Sequence, residues 1–268
     1  MIIIGEKING SIPSMKKAIQ ERNEEHIREC ARKQAAAGAD YIDVCASVAE
    51  DVEAKTLNWL IDLVQAETDT PICLDSPSPD SIIAALPRCR RPGLVNSVSM
   101  EGRKIEKIFP VIAGTRWNCV ALLCDDGGIP FTSEKRLAVF RQIMQKAEAC
   151  KITPDRLFID PLVETLSGRE TTLAVFTECA REIRAAYPDI HITSGLSNIS
   201  FGLPARKLIN QAFLVLALNA GMDSAIIDPT NRDALGLARA AEALLEKDEY
   251  CLEYIQAVRS GLIGPLAV

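Results

Sequence analysis

Residues 190–210 read IHITSGLSNISFGLPARKLIN. A β-branched apolar run ends in Gly195, Leu196, Ser197 and Asn198 before a helix-like stretch begins, the pattern of a strand whose C-terminal end opens onto a site. Asn198 carries a carboxamide, which donates and accepts hydrogen bonds without titrating. Such a group suits a ligand nitrogen whose bonding changes during a reaction. Gly and Asn also make plain turns, so the rest of the chain has to decide between the two readings.

Other short apolar runs end in the same way. Glu6 and Asn9 follow the first run, Asp43 and Cys45 the second, Asp75 and Ser76 the third, and Asn96 and Ser97 the fourth. Asp125 and Asp126, then Asp160, Ser197 with Asn198, and finally Asp228 follow the remaining four, and Lys7 is the one cation among them. A ring of Asp and Asn has three chemical uses. It can hold Mg²⁺ or Ca²⁺ through hard oxygen ligands, act as an acid/base carboxylate pair, or read a heterocycle edge by accepting adjacent N–H groups. Single Asp residues such as Asp80 and Asp233 also serve as helix N-caps.

These residues need a scaffold that brings strand ends together. Apolar runs at 2–4, 41–44, 72–74, 94–95, 119–123, 157–159, 190–193 and 225–227 alternate with amphipathic stretches near 16–37, 53–67, 79–87, 103–116, 133–150, 170–186, 205–220 and 232–246. A further helix is expected over 248–260. In the stretch 232–246, Leu235, Ala238, Ala241, Leu244 and Leu245 recur at helical spacing and give one apolar face. Strand then helix, eight times over, predicts an α/β fold, a closed parallel (β/α)8 TIM barrel whose site lies at the C-terminal ends of the strands. The segment GEKING lacks the GxGxxG spacing, and no GxxxxGK[ST] occurs, so an open nucleotide-binding sheet ranks below the barrel.

The 268 residues fit one barrel of about 250 residues, and no linker or charge block divides them, so residues 1–268 are read as a single domain. A formal charge of −6 and 5% aromatic residues argue against a nucleic-acid partner. The start has three apolar residues after Met1 and no cationic leader, which argues against a signal or membrane-spanning segment. Nine cysteines without a CxxC pair suggest a reducing cytoplasm. Several of them, including Cys73, Cys119 and Cys124, sit in apolar runs as small hydrophobes. With two histidines, a histidine-rich metal site is not expected; His26 reads as a helix-surface residue and His191 as strand packing.

The pieces GEKING, ADYIDV, CLDS, VNS, FIDPL and GLSNISFGLPARKLIN, followed by FLVLALNAGMDSAIIDP, resemble the pterin-binding methyltransferases that move a methyl group between tetrahydrofolate and a corrinoid protein. The resemblance runs from Ile3 to about Tyr250, and the GLSN block is its specific part. It implies a barrel that binds a pterin in its mouth. Asp75, Asn96 and Asp160 would bond the pyrimidine edge, with Asn198 near N5 as the catalytic group. Gly195, Ser197, Asp43, Glu6 and Asn9, placed by their strand-end positions, complete the candidate binding set. The resemblance also implies tetrahydrofolate or 5-methyltetrahydrofolate as substrate and a corrinoid (cobalamin) carried by a partner protein. A homodimer follows from it as well, with no metal held by this chain and methyl transfer by in-line displacement between N5 and cobalt.

The chain departs from that family at Cys45, where many relatives carry Asn, and at the acidic pair Asp125 and Asp126. Dihydropteroate synthase shares the barrel and pterin pocket, and Arg206 and Lys207 resemble its basic pair. The strand-8 segment IIDPTNR lacks the histidine that would complete its diphosphate site. A non-catalytic pterin-binding scaffold is the alternative from another class; the presence of Asn198 favours an enzyme.

Overall fold

The computed structural model describes residues 1–264. Eight parallel strands follow one another around a ring: β1 (Ile2–Asn9), β2 (Tyr41–Cys45), β3 (Ile72–Asp75), β4 (Leu94–Met100), β5 (Asn118–Asp125), β6 (Leu157–Asp160), β7 (His191–Ile192) and β8 (Ser224–Ile227). β1 pairs with β8 as well as with β2. The ring closes between β7 and β8, where Asp223 N–H donates to Ile192 O at 3.2 Å and Ile226 N–H donates to Ser194 O at 3.0 Å. The fold is the (β/α)8 barrel expected from the alternation of runs.

Side chains alternate along a strand, and here the alternation sorts two cores. Ile3, Ile42, Leu74, Val95, Ala121 and Ile159 face outward into the main core against the helices. Ile4, Cys73, Leu94, Val120 and Phe158 form a separate cluster inside the ring, with Ile2, Tyr41, Leu122 and Ile226 packed against it. Within it Tyr41 meets Phe158 edge-on at 6.2 Å, and the His191 ring lies 4.5 Å from Phe158. His191 also pairs through Nδ1 with Asp223 at 2.9 Å, so it is strand packing.

Among the described residues ten α-helices cover the ring: α1 (Pro13–Gln20), α2 (Glu24–Ala36), α3 (Glu50–Glu67), α4 (Pro79–Ala85), α5 (Lys104–Ile112), α6 (Ser133–Ala149), α7 (Thr172–Ala186), α8 (Arg206–Ala220), α9 (Arg232–Leu244) and α10 (Leu252–Arg259). The single helix expected over 16–37 is two helices. Arg22 adopts a left-handed conformation (φ 53°), and the Asn23 side chain then caps α2 by accepting from His26 N–H at 3.1 Å. The helix expected over 248–260 shortens to α10. Tyr250 and Cys251 take positive φ, and the Asp248 carboxylate accepts the N–H groups of Glu253 and Tyr254 at 2.9 Å.

Two devices set the loops at the C-terminal mouth. Arg136 of α6 is fully buried and donates to the carbonyl oxygens of Pro130 (2.9 Å), Pro161 (2.6 Å) and Leu162 (2.5 Å), tying the β5–α6 loop to the β6–α7 loop. The β6–α7 loop is tied in turn to the β7–α8 loop by Leu166 N–H on Ile199 O at 3.0 Å and Thr165 Oγ1 on Phe201 O at 2.6 Å.

Candidate functional site

A cavity of about 670 Å³ opens at the C-terminal ends of the strands. Glu6, Asn9, Asp43, Asp75, Asn96, Gly195, Ser197 and Asn198 all line it, which brings together eight of the nine residues singled out from the sequence. The two-residue period of the strands explains why. Each residue stands two places beyond an inward-facing neighbour: Glu6 beyond Ile4, Asp43 beyond Tyr41, Asp75 beyond Cys73, Asn96 beyond Leu94. The interior layer below is apolar, and the layer above it is carboxylate and amide.

Asp160 obeys the same period, two residues after Phe158, yet it lies off the cavity wall. It is 5% exposed, and the chain turns back at Pro161 so that Leu162 N–H donates to its Oδ1 at 2.7 Å. Burial pushes its carboxyl up to about 6, against the pull of the Leu162 and Gly195 N–H groups. Asp160 is thus engaged by its own loop through Leu162 N–H. Asp125 and Asp126 also stay away from the cavity. They accept the N–H groups of Gly127 (2.8 Å) and Gly102 (2.7 Å) and shape the turn after β5.

Three acids on the cavity wall, Asp43, Asp75 and Glu6, share one electrostatic condition. Burial raises Asp43 well above the usual carboxylate range, and the neighbouring Asp75 charge raises it further. Asp75 is pushed up to about 6, chiefly by burial, with hydrogen bonding from Cys45 and Asp43 drawing it down. Glu6 is pushed up to about 7 by burial and by the charge of Asp228, while Lys7 and Arg206 pull it down. Cys45 is buried, its Sγ 3.2 Å from Ser47 Oγ, and burial raises its thiol, so it takes the place of a neutral hydrogen-bonding side chain rather than of a nucleophile.

Asn198 sits in a 3-10 turn, Leu196–Ser200, rather than on a strand. Its Nδ2 lies over Gly195, where a Cβ would come within 3.0 Å of it. A larger residue there would crowd the amide and displace it by a few tenths of an ångström. On β1, Gly5 plays a similar part: the Gln34 side chain of α2 reaches its Cα face, where a Cβ would meet Oε1 at 2.5 Å, and that oxygen accepts Lys7 N–H at 3.0 Å. The strand register slips between Gly5 and Ile8. The slip turns consecutive residues Glu6 and Lys7 toward the same cavity, where a regular strand would send them to opposite faces.

Some lining residues escaped the sequence reading: Asn210 and Gln211 stand on the first turns of α8 at i+4 and i+5 from Arg206, and Ser11 and Asn231 add further polar groups. Arg206 and Lys207, noted from the sequence only for their likeness to a basic pair of dihydropteroate synthase, line the cavity beside them. The helical spacing of that polar face was the available signal. Asn210 Oδ1 is buried without a hydrogen-bond partner among the described residues. Among the described residues no cluster of three or more His, Cys, Asp or Glu is placed to hold a metal ion. Acceptors grouped along the cavity wall suit a ligand carrying adjacent N–H groups.

The family model of pterin binding enzymes matches residues 6–228. The chain belongs to the pterin-binding enzyme family. The matched span of this pterin-binding enzyme starts at Glu6 and ends at Asp228, both on the cavity wall. It is 50% identical over 268 residues to the methylcorrinoid:tetrahydrofolate methyltransferase of Eubacterium limosum, covering 99% of each chain. It is 27% identical to the methionine synthase of Mycobacterium tuberculosis over 240 residues, 85% of this chain and 20% of that protein. Among solved structures, a dihydropteroate synthase from Clostridium difficile shares the fold with a TM-score of 0.69 at 20% identity, over 91% of this chain and 96% of that one. The Yersinia pestis dihydropteroate synthase does so with a TM-score of 0.65 at 16% identity, over 91% and 94%.

Proposed function

We propose that this pterin-binding enzyme is a methyltransferase that moves a methyl group between a corrinoid carried by a partner protein and N5 of tetrahydrofolate. The observation that carries the reading is the 50% identity, over essentially the whole of both chains, to the methylcorrinoid:tetrahydrofolate methyltransferase. The dihydropteroate synthase alternative rests on likeness of fold at 20% identity or less, and the strand-8 segment that would complete its diphosphate site reads IIDPTNR.

The site's donors and acceptors fit a reduced pterin. In this reading Asp75 accepts the adjacent N–H groups of the pyrimidine edge and Asn96 accepts beside it. Asp160 stands beneath that wall, held by Leu162 N–H. Asp43 orients Asn96. Glu6, Asn9, Gly195 and Ser197 shape the remaining wall. The corrinoid supplies a methyl group that can be given up to, or taken back from, a nitrogen lone pair. The chain's part is to hold N5 in line with that methyl and to stabilise the nitrogen as its bonding changes. Asn198 does this in either direction, because its amide accepts from N5–H and, turned over, donates to an alkylated N5. When N5 is methylated its proton must leave, and the buried carboxylates at the cavity wall are the groups able to receive it. An interaction that strengthens only as the transition state forms raises turnover more than affinity.

Homodimer assembly and a cytoplasmic setting complete the proposal. They are supported by the family resemblance and by cysteines with no disulfide partner among the described residues. Residues 1–268 act here as one catalytic unit. Among the described residues no helix is long and apolar enough to cross a membrane. The test is spectral: free methylcobalamin mixed with tetrahydrofolate and the protein should lose its alkyl-cobalt absorbance as 5-methyltetrahydrofolate accumulates. Folate binding without any such change, with free or protein-carried corrinoid, would favour the scaffold reading.

A further inference from the structure

Three polar groups of the cavity wall share one row of the barrel with a thiol. Asn9 is the ladder partner of Cys45, Cys45 of Asp75, and Asp75 of Asn96, across β1, β2, β3 and β4 in turn. Residues paired in this way present their side chains on one face of the sheet. Asn9, Asp75 and Asn96 line the cavity, and Cys45, 6% exposed, is the buried member between them.

Both neighbouring segments fix this cysteine. Gly10 N–H, at the end of β1, donates to Cys45 O at 2.9 Å, and Ser47, held at φ 46° in the loop after β2, brings its Oγ to 3.2 Å from Cys45 Sγ. The same hydroxyl lies 3.5 Å from Asn9 Oδ1. The thiol is hydrogen-bonded in turn to the Asp75 carboxylate, while the Asn96 amide donates away from it, to Asp43 Oδ1. The other ionisable groups facing Asp75 are Asp43 on β2, Cys73 on its own strand and Glu53 on α3, and none of these is a cation. Asp43 donates to Asp75 only while it keeps its own proton. Cys45 keeps its proton throughout, because burial raises the thiol.

We infer that Cys45 is a positioning residue of the pterin site: its thiol links Ser47 to Asp75 and holds the Asp75 carboxylate, charged, with its remaining lone pairs toward the cavity. The inference rests on the pterin reading of Asp75. Without the thiol, Asp75 keeps the repulsion of Glu53 and loses a donor that favours its charged form, so it takes up a proton at higher pH. A neutral acid then meets the pterin N–H groups, where a carboxylate met them before.

The measurement is the calorimetric affinity for tetrahydrofolate from pH 5 to 8 in the wild-type protein, Cys45→Ala and Cys45→Ser. In C45A the acid limb of binding should move up by about one pH unit, which lowers affinity about fivefold at pH 6 and little at pH 8. C45S keeps a donor and should restore the limb. A second reading needs no alanine variant: infrared difference spectra of wild type against C45S isolate the Cys45 S–H stretch, which should move to lower frequency as pH rises from 5 to 8 and stay fixed in Asp75→Asn. An unmoved limb in C45A overturns the inference and leaves the pterin reading intact, as does an S–H band indifferent to pH. An affinity loss equal at every pH and not restored by serine also overturns it, since that is the mark of packing alone. Wild-type protein that binds no tetrahydrofolate at any pH would overturn both.

Discussion

The Asn96 side-chain amide donates to Asp43 Oδ1 at 3.2 Å, reaching from β4 to β2 over the strand that carries Asp75. With its NH₂ engaged, Asn96 keeps its carbonyl oxygen as an acceptor. Asp43 and Asn96 therefore act as one unit toward a ligand. Asp43→Ala and Asn96→Ala should each weaken tetrahydrofolate binding about tenfold, and the double variant should lose little more than either single one. Calorimetric titration of the four proteins checks this. Additive losses would mean that the two side chains meet the ligand independently.

Asp75 gives the site a pH dependence whose sign can be worked out. Its carboxyl lies at about 6 in the folded protein against 3.8 as a free side chain, because burial disfavours the charge. The folded state thus holds a proton that the unfolded chain has released between those values, so this group's contribution to stability falls as pH rises from 3.8 through about 6. Ligand binding runs the other way. Pterin N–H groups need the carboxylate, so tetrahydrofolate affinity should fall as the solution is acidified through about 6. In Asp75→Asn both dependences should flatten, as read by thermal unfolding and by titration across pH 5 to 8. Affinity that rises on acidification would show that Asp75 meets the ligand as a neutral acid.

Asn198 and Gly195 are coupled, since the amide lies 3.0 Å from where a Cβ on residue 195 would stand. Asn198→Ala should lower kcat by about 100-fold with a smaller change in folate affinity, the pattern of an interaction made mainly in the transition state. Gly195→Ala should act in the same direction by displacing the amide, although residue 198 is unchanged. Steady-state rates with free methylcobalamin and a folate titration separate the two parameters. Matching losses in affinity and kcat would reduce Asn198 to a binding group.

What the sequence revealed and what it hid follow from how locally each feature is encoded. Period two is local, so Asp75 after Leu74 and Asn96 after Val95 could be placed at strand ends, and the structure puts both on the cavity wall. The depth of Asp160 is not local, because it depends on the chain reversing at Pro161 and donating Leu162 N–H back to it. The break between α1 and α2 was written in Asn23 as a cap, but the apolar pattern of 16–37 runs across it and masked the signal. Lys7 joined Glu6 in the cavity through a register slip against β2, a tertiary event that no single-strand pattern contains. For α8, the apolar face at Phe213, Leu214, Ala217 and Leu218 was legible; that its polar first turns close the cavity depends on where the β7 loop delivers the helix.

Arg136 supports the mouth without touching the cavity. It is completely buried, and its guanidinium serves three carbonyl oxygens on two loops, with Glu164 at 3.3 Å as its carboxylate neighbour. Methionine in its place would keep much of the volume but leave the carbonyls of Pro130, Pro161 and Leu162 without a donor. Each unmet buried acceptor costs about 1–3 kcal/mol, so Arg136→Met should destabilise the protein by about 3 kcal/mol, with water recovering part of the loss. The β6–α7 loop anchors Asp160 through Leu162 N–H and meets the Asn198 turn through Leu166, so the variant should also lower kcat. Urea unfolding gives the first quantity and the methyl-transfer rate at low temperature, where the variant stays folded, gives the second. Full stability would mean that the carbonyls find water freely; lost stability with an unchanged rate would mean that Asn198 is held in place by its own turn.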